Sequence, residues 1–278
     1  MTAYHRPRDL DEAHAARAAH PDWMVLAGGT DLMVNANHRA APAGILDLWR
    51  LAEICFVRHA DGEIVIGAGT TWLEVERDPA VQAHLAPLAA AAREIGALQI
   101  QARATLGGNV GTSSPVGDSL PVLLALDAAL EVASPRGRRR IAYRDWCTGY
   151  RTTQLAADEL IVAAHIPVPE PVAGAAVRTV WRKVGTRRAQ SISKVMGAAA
   201  ITLDGDLVVD ARIALGAVAD RPIRVAAAEA AVRGLRLADA AGAARAAVVS
   251  AIQPIDDVRS TASYRREVAG NLVARFFA

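Results

Sequence analysis

The stretch 104–121, ATLGGNVGTSSPVGDSLP, sets Gly107, Gly108, Gly111 and Gly117 among small hydroxyl side chains, two prolines and one carboxylate, Asp118. A second glycine pair lies in LAGGTDLMV, residues 26–34. Each stretch stands where a helix is expected to begin, so bare backbone N–H groups and a helix N-terminus carrying about half a positive charge face whatever binds there. Thr30 and Asp31, and likewise Asp118 and Ser119, occupy positions that suit helix caps. The plainer use of either stretch alone is a tight turn. Two together favour a site, because a diphosphate has two negative centres to hold. The single-loop phosphate motifs fail: GAG at 67–69 lacks the third glycine of a dinucleotide fingerprint, and neither lysine follows a glycine as in a phosphate-binding loop. The expected ligand is a phosphate-bearing cofactor held in an unconventional way.

Of the 278 residues, 52% are apolar, enough for a sizeable core in one large domain or two ordinary ones. No window offers about 18 uninterrupted apolar residues, and the first residues lack the basic-then-apolar order of a signal peptide, so a cytoplasmic protein without a membrane span is expected. Cys55 and Cys147 are isolated and are expected to be buried free thiols, too few for a cluster or a disulfide framework. Basic and acidic residues number 31 and 29, a balance that offers nucleic acid no global field. The local run SPRGRRR, residues 134–140, reads as a solvated hairpin tip. Seven histidines show no metal-ligand spacing, so no protein-held metal is expected.

Periodicity gives an α+β organisation. LDEAHAARAA reads as a helix, WMVLAG and ILDLWR as strands, and a further helix is expected to start at GGTDLM, making a βαβ-like lobe over 1–53. A second lobe, 54–172, opens with a hairpin around Asp61-Gly62 and a capping box from Thr71 to Glu74. It continues with the helix HLAPLAAAAREIG, closed by Gly96, and with strands in ALEVASPRGRRRIAY and ELIVAAHIPVP. Pro167, Pro169 and Pro171 end it, giving domains 1–172 and 173–278. The second domain reads as an antiparallel sheet turned at Asp204-Gly205 and backed by two or three alanine-rich helices.

Both lysines of the chain, Lys183 and Lys194, fall within WRKVGTRRAQSISKV, residues 181–195. That clustering suggests a need for a compact point charge. Together with AGGTDLMV, IGAGTT, ATLGGNVGTSSPVGDSLPVLLALDA and DELIVAAHIP, this segment resembles the FAD-binding medium subunit of the molybdenum hydroxylases, the xanthine dehydrogenase and carbon monoxide dehydrogenase family. The segments run in family order over nearly the whole chain.

The resemblance implies a two-lobed FAD-binding domain of the vanillyl-alcohol-oxidase (PCMH) type, followed by the family's C-terminal flavoprotein domain. It implies an oxidoreductase subunit whose FAD passes electrons from the 2Fe-2S clusters of a small subunit to an external acceptor. A large subunit would hold the molybdenum cofactor, in a dimer of heterotrimers. By motif position, Ala27, Gly28, Gly29, Thr30, Asp31 and Leu32 would hold one side of the FAD diphosphate. Thr105, Gly107, Gly108, Asn109, Ser114 and Asp118 would hold the other side and the adenosine or ribityl portion. Leu160 and Ile161 would lie at the apolar contact with the flavin, and Lys194 beside the pyrimidine edge of its ring; Lys183 lies in a less well-defined element. No residue is expected to act as catalytic acid or base. The alternatives are a self-sufficient flavin-dependent reductase or oxidase of the same fold, and a scaffold whose flavin loops have decayed. The four-cysteine insertion of the relatives that reduce aromatic acyl-CoA thioesters is absent.

Overall fold

The computed structural model describes residues 2–38, 40–170, 174–187 and 190–278. The first lobe is a parallel three-stranded sheet of β1 (Ala3–His5), β2 (Met24–Leu26) and β3 (Gly44–Asp47), with β3 in the middle. Helix α1 (Leu10–Ala19) crosses between β1 and β2; Asp9 caps it by accepting from the Glu12 N–H at 2.8 Å. β1 is only three residues long, too short to produce an alternating pattern. The helix expected from GGTDLM is a 3-10 helix over Leu32–His38. Its sequence, LMVNANH, mixes a β-branched residue with Asn and His, all weak α-helix formers, and Val34 N–H bonds the Asp31 carbonyl in the tighter i to i+3 pattern.

The second lobe is built on an antiparallel sheet ordered β4-β5-β10-β6-β7. Strands β4 (Val57–Ala60) and β5 (Glu63–Gly67) form the hairpin around Asp61-Gly62. Helices α2 (Trp72–Arg77), α3 (Pro79–His84), α4 (Ala86–Glu94), α5 (Leu98–Gln101), α6 (Leu106–Thr112) and α7 (Leu120–Ala125) follow. Gly96, at φ +61°, ends the α4 segment as expected. Strands β6 (Ala129–Ser134) and β7 (Gly137–Ala142) carry the arginine run at an exposed hairpin end. Then come α8 (Tyr143–Trp146), the small hairpin β8 (Cys147–Gly149) and β9 (Thr152–Thr153), and the central strand β10 (Leu160–Pro167).

Alternation along these strands divides two cores. Ile64, Ile66, Leu130, Val132, Ala164 and Ile166 face α2, α4, α6 and α7. Leu160, Val162, Ala163 and Ala133 face the opposite way, against Leu10 and Ala13 of α1 and Leu46 of β3. A register shift between Ile161 and Ala163 changes the phase and turns Ile161 toward the α6 side.

The C-terminal sheet is antiparallel: β11 (Ala176–Val184), β12 (Val195–Asp204), β13 (Leu207–Gly216) and the two-residue β14 (Ile223–Arg224). It turns at Asp204-Gly205 and is backed by α9 (Ala226–Val232), α10 (Leu237–Ala251) and α11 (Ala262–Ala274). Ala199 and Ile201 of β12 join the core beneath these helices, whereas Ala198 and Ala200 join the core of the second lobe. Small side chains on that face let α7 lie close to β12, so the sheet is covered on both sides. The expected boundary at 172/173 falls within 171–173, outside the described residues. Cys55 and Cys147 are free and half-buried, less enclosed than expected.

The capping box at the head of α2 is fully formed. Thr71 Oγ1 accepts from the Glu74 N–H at 3.2 Å, and Glu74 Oε2 accepts from the Thr71 N–H at 2.8 Å. Burial pushes the Glu74 carboxyl upward, but the Thr71 bonds and the Arg50 guanidinium bring it below the ordinary 4.5. A carboxylate lowered on folding stabilises the fold above its unfolded pKa and loses that contribution as pH falls through the folded value. We therefore expect Thr71→Ala to lower stability by about 1 kcal/mol at pH 7, or ~2–4 °C in melting temperature. The difference from wild type should narrow as the pH falls below that of ordinary carboxylates, which thermal melts at pH 7 and pH 3.5 check.

Candidate functional site

The two glycine stretches come together, but they are built differently. The loop 27–32 leaves β2 and meets the second lobe backbone to backbone. A Cβ added at Gly28 would lie 1.8 Å from the Arg103 carbonyl oxygen, so only glycine permits this approach. Gly29 follows at φ +77°. Among the described residues, the N–H groups of Gly28, Gly29, Thr30, Asp31 and Leu32 donate to no backbone or side-chain acceptor. Such a run of free amides is a ready acceptor site for phosphate oxygens.

In the second stretch the first amides are already spent. Leu106 N–H donates to the Thr70 carbonyl at 3.0 Å and Gly107 N–H to the Ala68 carbonyl at 2.8 Å. Gly108 N–H donates to Thr105 Oγ1 at 3.0 Å, which caps α6. Gly107 is a packing glycine, since its Cβ would stand 2.7 Å from that of Ala68. Gly108 and Gly111, three residues apart on α6, have room instead. A Cβ at Gly108 would meet only Thr105 Oγ1 at 3.1 Å, and one at Gly111 only Ile161 Cδ1 at 3.5 Å. This bare face of α6, with half-buried Ile161 beside it, lets a ligand lie against the helix backbone.

Three of the four polar side chains expected to cap helices, those of Asp31, Asp118 and Ser119, bond elsewhere. Asp31 is turned toward Thr112 Oγ1 at 3.5 Å and Arg151 at 3.8 Å, bridging the first lobe to the end of α6 and the β8–β9 hairpin. Ser119 Oγ donates to Asn109 Oδ1 at 2.6 Å and so ties the start of α7 to α6. Asp118 caps nothing: its Oδ2 accepts from Lys183 Nζ at 2.6 Å and its Oδ1 from Ser193 Oγ at 2.5 Å. Burial pushes its carboxyl upward, and Lys183 and Ser193 oppose that shift. A buried carboxylate draws an ammonium in preference to a cap amide, because a lone charge there is far costlier than an uncapped turn. Ser114 stays within its own turn, its Oγ accepting from Val116 N–H at 3.4 Å.

Lys183 and Ser193 are therefore the partners of Asp118; the only sequence signal for them was the confinement of both lysines to 181–195. Lys194 diverges from its neighbour Ser193. Its ammonium lies 5.1 Å from the centre of the Tyr264 ring, at the start of α11. Leu160 is 3% exposed in the core beneath α1, whereas Ile161 reaches the α6 side. A cavity of about 370 Å³ lies elsewhere, between Asp11, His14 and Ala15 of α1 and the β6–β7 hairpin, and contains none of the glycine-loop residues. Free amides in one glycine loop and bare helix backbone in the other make these loops the candidate site, with chemistry suited to a phosphate-bearing cofactor.

A two-lobed α+β domain with such loops, joined to a helix-backed antiparallel sheet, has an architecture suited to holding a phosphate-bearing cofactor. Residues 1–169 match the FAD binding domain in molybdopterin dehydrogenase, and residues 181–278 match the CO dehydrogenase flavoprotein C-terminal domain. The chain belongs to the family of medium, FAD-binding subunits of the molybdenum hydroxylases. It is 36% identical over 226 residues to the xanthine dehydrogenase FAD-binding subunit of Escherichia coli O157:H7, covering 81% of this chain and 76% of that one. It is 30% identical over 275 residues to the carbon monoxide dehydrogenase medium chain of Hydrogenophaga pseudoflava, covering 98% and 94%. A solved carbon monoxide dehydrogenase from the same organism, lacking the Mo-pyranopterin moiety of its cofactor, superposes with a TM-score of 0.92 at 31% identity, over 99% of this chain and 95% of that one.

The two kinds of glycine separate by substitution. Gly28→Ala drives a methyl into the Arg103 carbonyl, so the folded yield or melting temperature should fall sharply. Gly108→Ala needs Thr105 Oγ1 to give by only a few tenths of an ångström, and alanine favours a helix by about 1 kcal/mol. It should melt within a few degrees of wild type, as thermal unfolding of the two variants will establish.

Proposed function

We propose that this chain is the electron outlet of a cytoplasmic molybdenum hydroxylase, in a dimer of heterotrimers. A large partner subunit holds the molybdenum cofactor and oxidises the substrate, and the 2Fe-2S clusters of a small partner subunit relay the electrons. Bound FAD supplies a two-electron store that can be filled one electron at a time and emptied to an external acceptor. The observation carrying the proposal at the residue level is the run of five free amides at 28–32 together with the bare side of α6; family membership supports an assembly with partner subunits.

In this reading the domains are 1–172 and 173–278. Ala27, Gly28, Gly29, Thr30, Asp31 and Leu32 grip one side of the diphosphate through main-chain N–H groups. Thr105, Gly107, Gly108, Asn109, Ser114 and Asp118 shape the other side. Thr105 and Gly107 fix the axis of α6, Gly108 keeps its face bare, and Asn109 is oriented by Ser119. Asp118 acts through its loop, since both carboxylate oxygens are bonded within the protein. Leu160 supports Ile161 from behind, and Ile161 offers the apolar contact for the flavin. Lys194 supplies positive charge to the ring's pyrimidine edge. No side chain has to act as acid or base.

Affinity capture of the tagged chain from its native host, followed by flavin, iron and molybdenum analysis, tests assembly and cofactor together. Co-purification of a molybdenum-containing chain and a cysteine-rich iron-sulfur chain is expected. A yellow protein active alone would favour the self-sufficient reductase, and a colourless one without partners would remove the flavin assignment.

A lysine beside a ring that gains negative charge on reduction favours the reduced form by roughly 1–3 kcal/mol at an effective dielectric of about 20. Since about 1.4 kcal/mol corresponds to about 30 mV in a two-electron couple, Lys194→Met should lower the FAD midpoint by about 20–60 mV. Spectroelectrochemical titration reads the shift, and an unchanged midpoint removes Lys194 from the site.

A further inference from the structure

The loop 113–119 joins α6 to α7, and four residues of the other domain bond to it. Ala217 N–H, just after β13, donates to the Pro115 carbonyl at 2.8 Å. Trp181 Nε1 on β11 donates to the Asp118 carbonyl at 3.0 Å. Lys183, also on β11, donates to Asp118 Oδ2 at 2.6 Å and to the Glu94 carbonyl at the end of α4 at 3.2 Å. Ser193, just before β12, donates to Asp118 Oδ1 at 2.5 Å. The Lys183 side chain is 2% exposed and that of Asp118 10%, so each charge is the other's main compensation.

We propose that Lys183 is a positioning residue for the cofactor: by neutralising Asp118 across the domain interface it holds the 113–119 loop, and with it the end of α6, in the geometry that FAD requires. This rests on the flavin reading above. Lys183 has no need to touch the cofactor, because its ammonium is engaged by Asp118 and the Glu94 carbonyl. The C-terminal sheet then acts as the outer support of the second glycine loop. Linkage makes the effect reciprocal, so a ligand that prefers the held loop must also tighten the docking of the C-terminal sheet.

The test titrates the full-length apo chain with FAD in four forms: wild type, Lys183→Met, Asp118→Asn and the double variant. Hydrogen exchange is followed at β11 and β12. Lys183→Met should weaken FAD binding at least tenfold, and FAD should slow exchange at β11 and β12 in wild type but not in this variant. The double variant should bind FAD no more weakly than Asp118→Asn alone, because a residue acting only through Asp118 has nothing further to lose once that charge is gone. Should either single variant fail to fold, the double variant, which buries neither charge, is compared with wild type: FAD binding weaker by tenfold or more is expected, and binding within twofold overturns the inference. Binding by Lys183→Met within twofold of wild type overturns the inference, as does a double variant weaker than Asp118→Asn by tenfold or more. Wild-type protein that takes up no FAD overturns the flavin reading and this inference together, an outcome separate from wild type and variant binding equally.

Discussion

The lobe connector, the central strand and the head of α6 are all registered against one run of backbone, Gly67 to Trp72. Gly67 and Gly69 N–H groups donate to the carbonyls of Phe56 and Ile54 in the connector from the first lobe, and Ala68 N–H donates to Val162 of β10. The carbonyls of Ala68 and Thr70 accept from Gly107 and Leu106, while Trp72 N–H donates to Ala104. One short segment therefore fixes the lobe connector, the central strand and the head of α6 relative to one another. Backbone bonds at 2.7–3.0 Å leave no space for side chains between the partners: a Cβ at Gly67 would come within 2.3 Å of the Ile54 carbonyl oxygen. The GAG triplet is thus a junction between main chains. It resembles a nucleotide motif because both uses require backbone without side chains.

What was legible in the sequence follows from this arrangement. The hairpins at Asp61-Gly62 and Asp204-Gly205, the capping box of Thr71 and the helix ended by Gly96 depend on residues a few positions apart, so their signals survive in a one-dimensional reading. The antiparallel C-terminal sheet was legible for the same reason. What escaped was set at long range. Asp118 and Ser119 have the chemistry of caps, yet their partners lie on β11, before β12 and on α6. Ile161 reaches the site side only because a register shift changes the strand's phase. The glycines of 104–121 were read as one cradle, but Gly107 packs against Ala68 while a Cβ at Gly108 would meet only the Thr105 hydroxyl. Nothing local distinguishes those two neighbours.

Charge is distributed with a similar division of labour. The arginines of the β6–β7 hairpin pair with carboxylates on neighbouring strands and turns: Arg139 with Glu159 at 2.7 Å, Arg138 with Glu131 at 2.6 Å, Arg140 with Glu63 at 3.5 Å. These guanidinium groups are about half exposed, and such pairs contribute about 0–1 kcal/mol each. Buried His165 lies between the last two carboxylates, at 3.2 Å from Glu63 and 2.9 Å from Glu131. This charged face is self-satisfied, which agrees with its reading as a solvated surface.

The two lysines stand apart from that pattern, and from each other. A compact ammonium suits position 183, where it must reach both the Asp118 carboxylate and the Glu94 carbonyl inside the domain interface; a planar guanidinium would present its donors in a different fixed pattern. Position 194 differs in what it leaves uncompensated. The nearby Tyr264 ring attracts the ammonium through its quadrupole but carries no net charge to cancel it, and among the described residues Lys194 forms no ion pair. Lys183 is consumed by the fold, whereas Lys194, just before β12, lies against the Tyr264 ring. The proposed division of roles, Lys183 holding the loop of Asp118 and Lys194 serving the flavin, thus rests on what each ammonium touches: a carboxylate for one, an uncharged ring for the other.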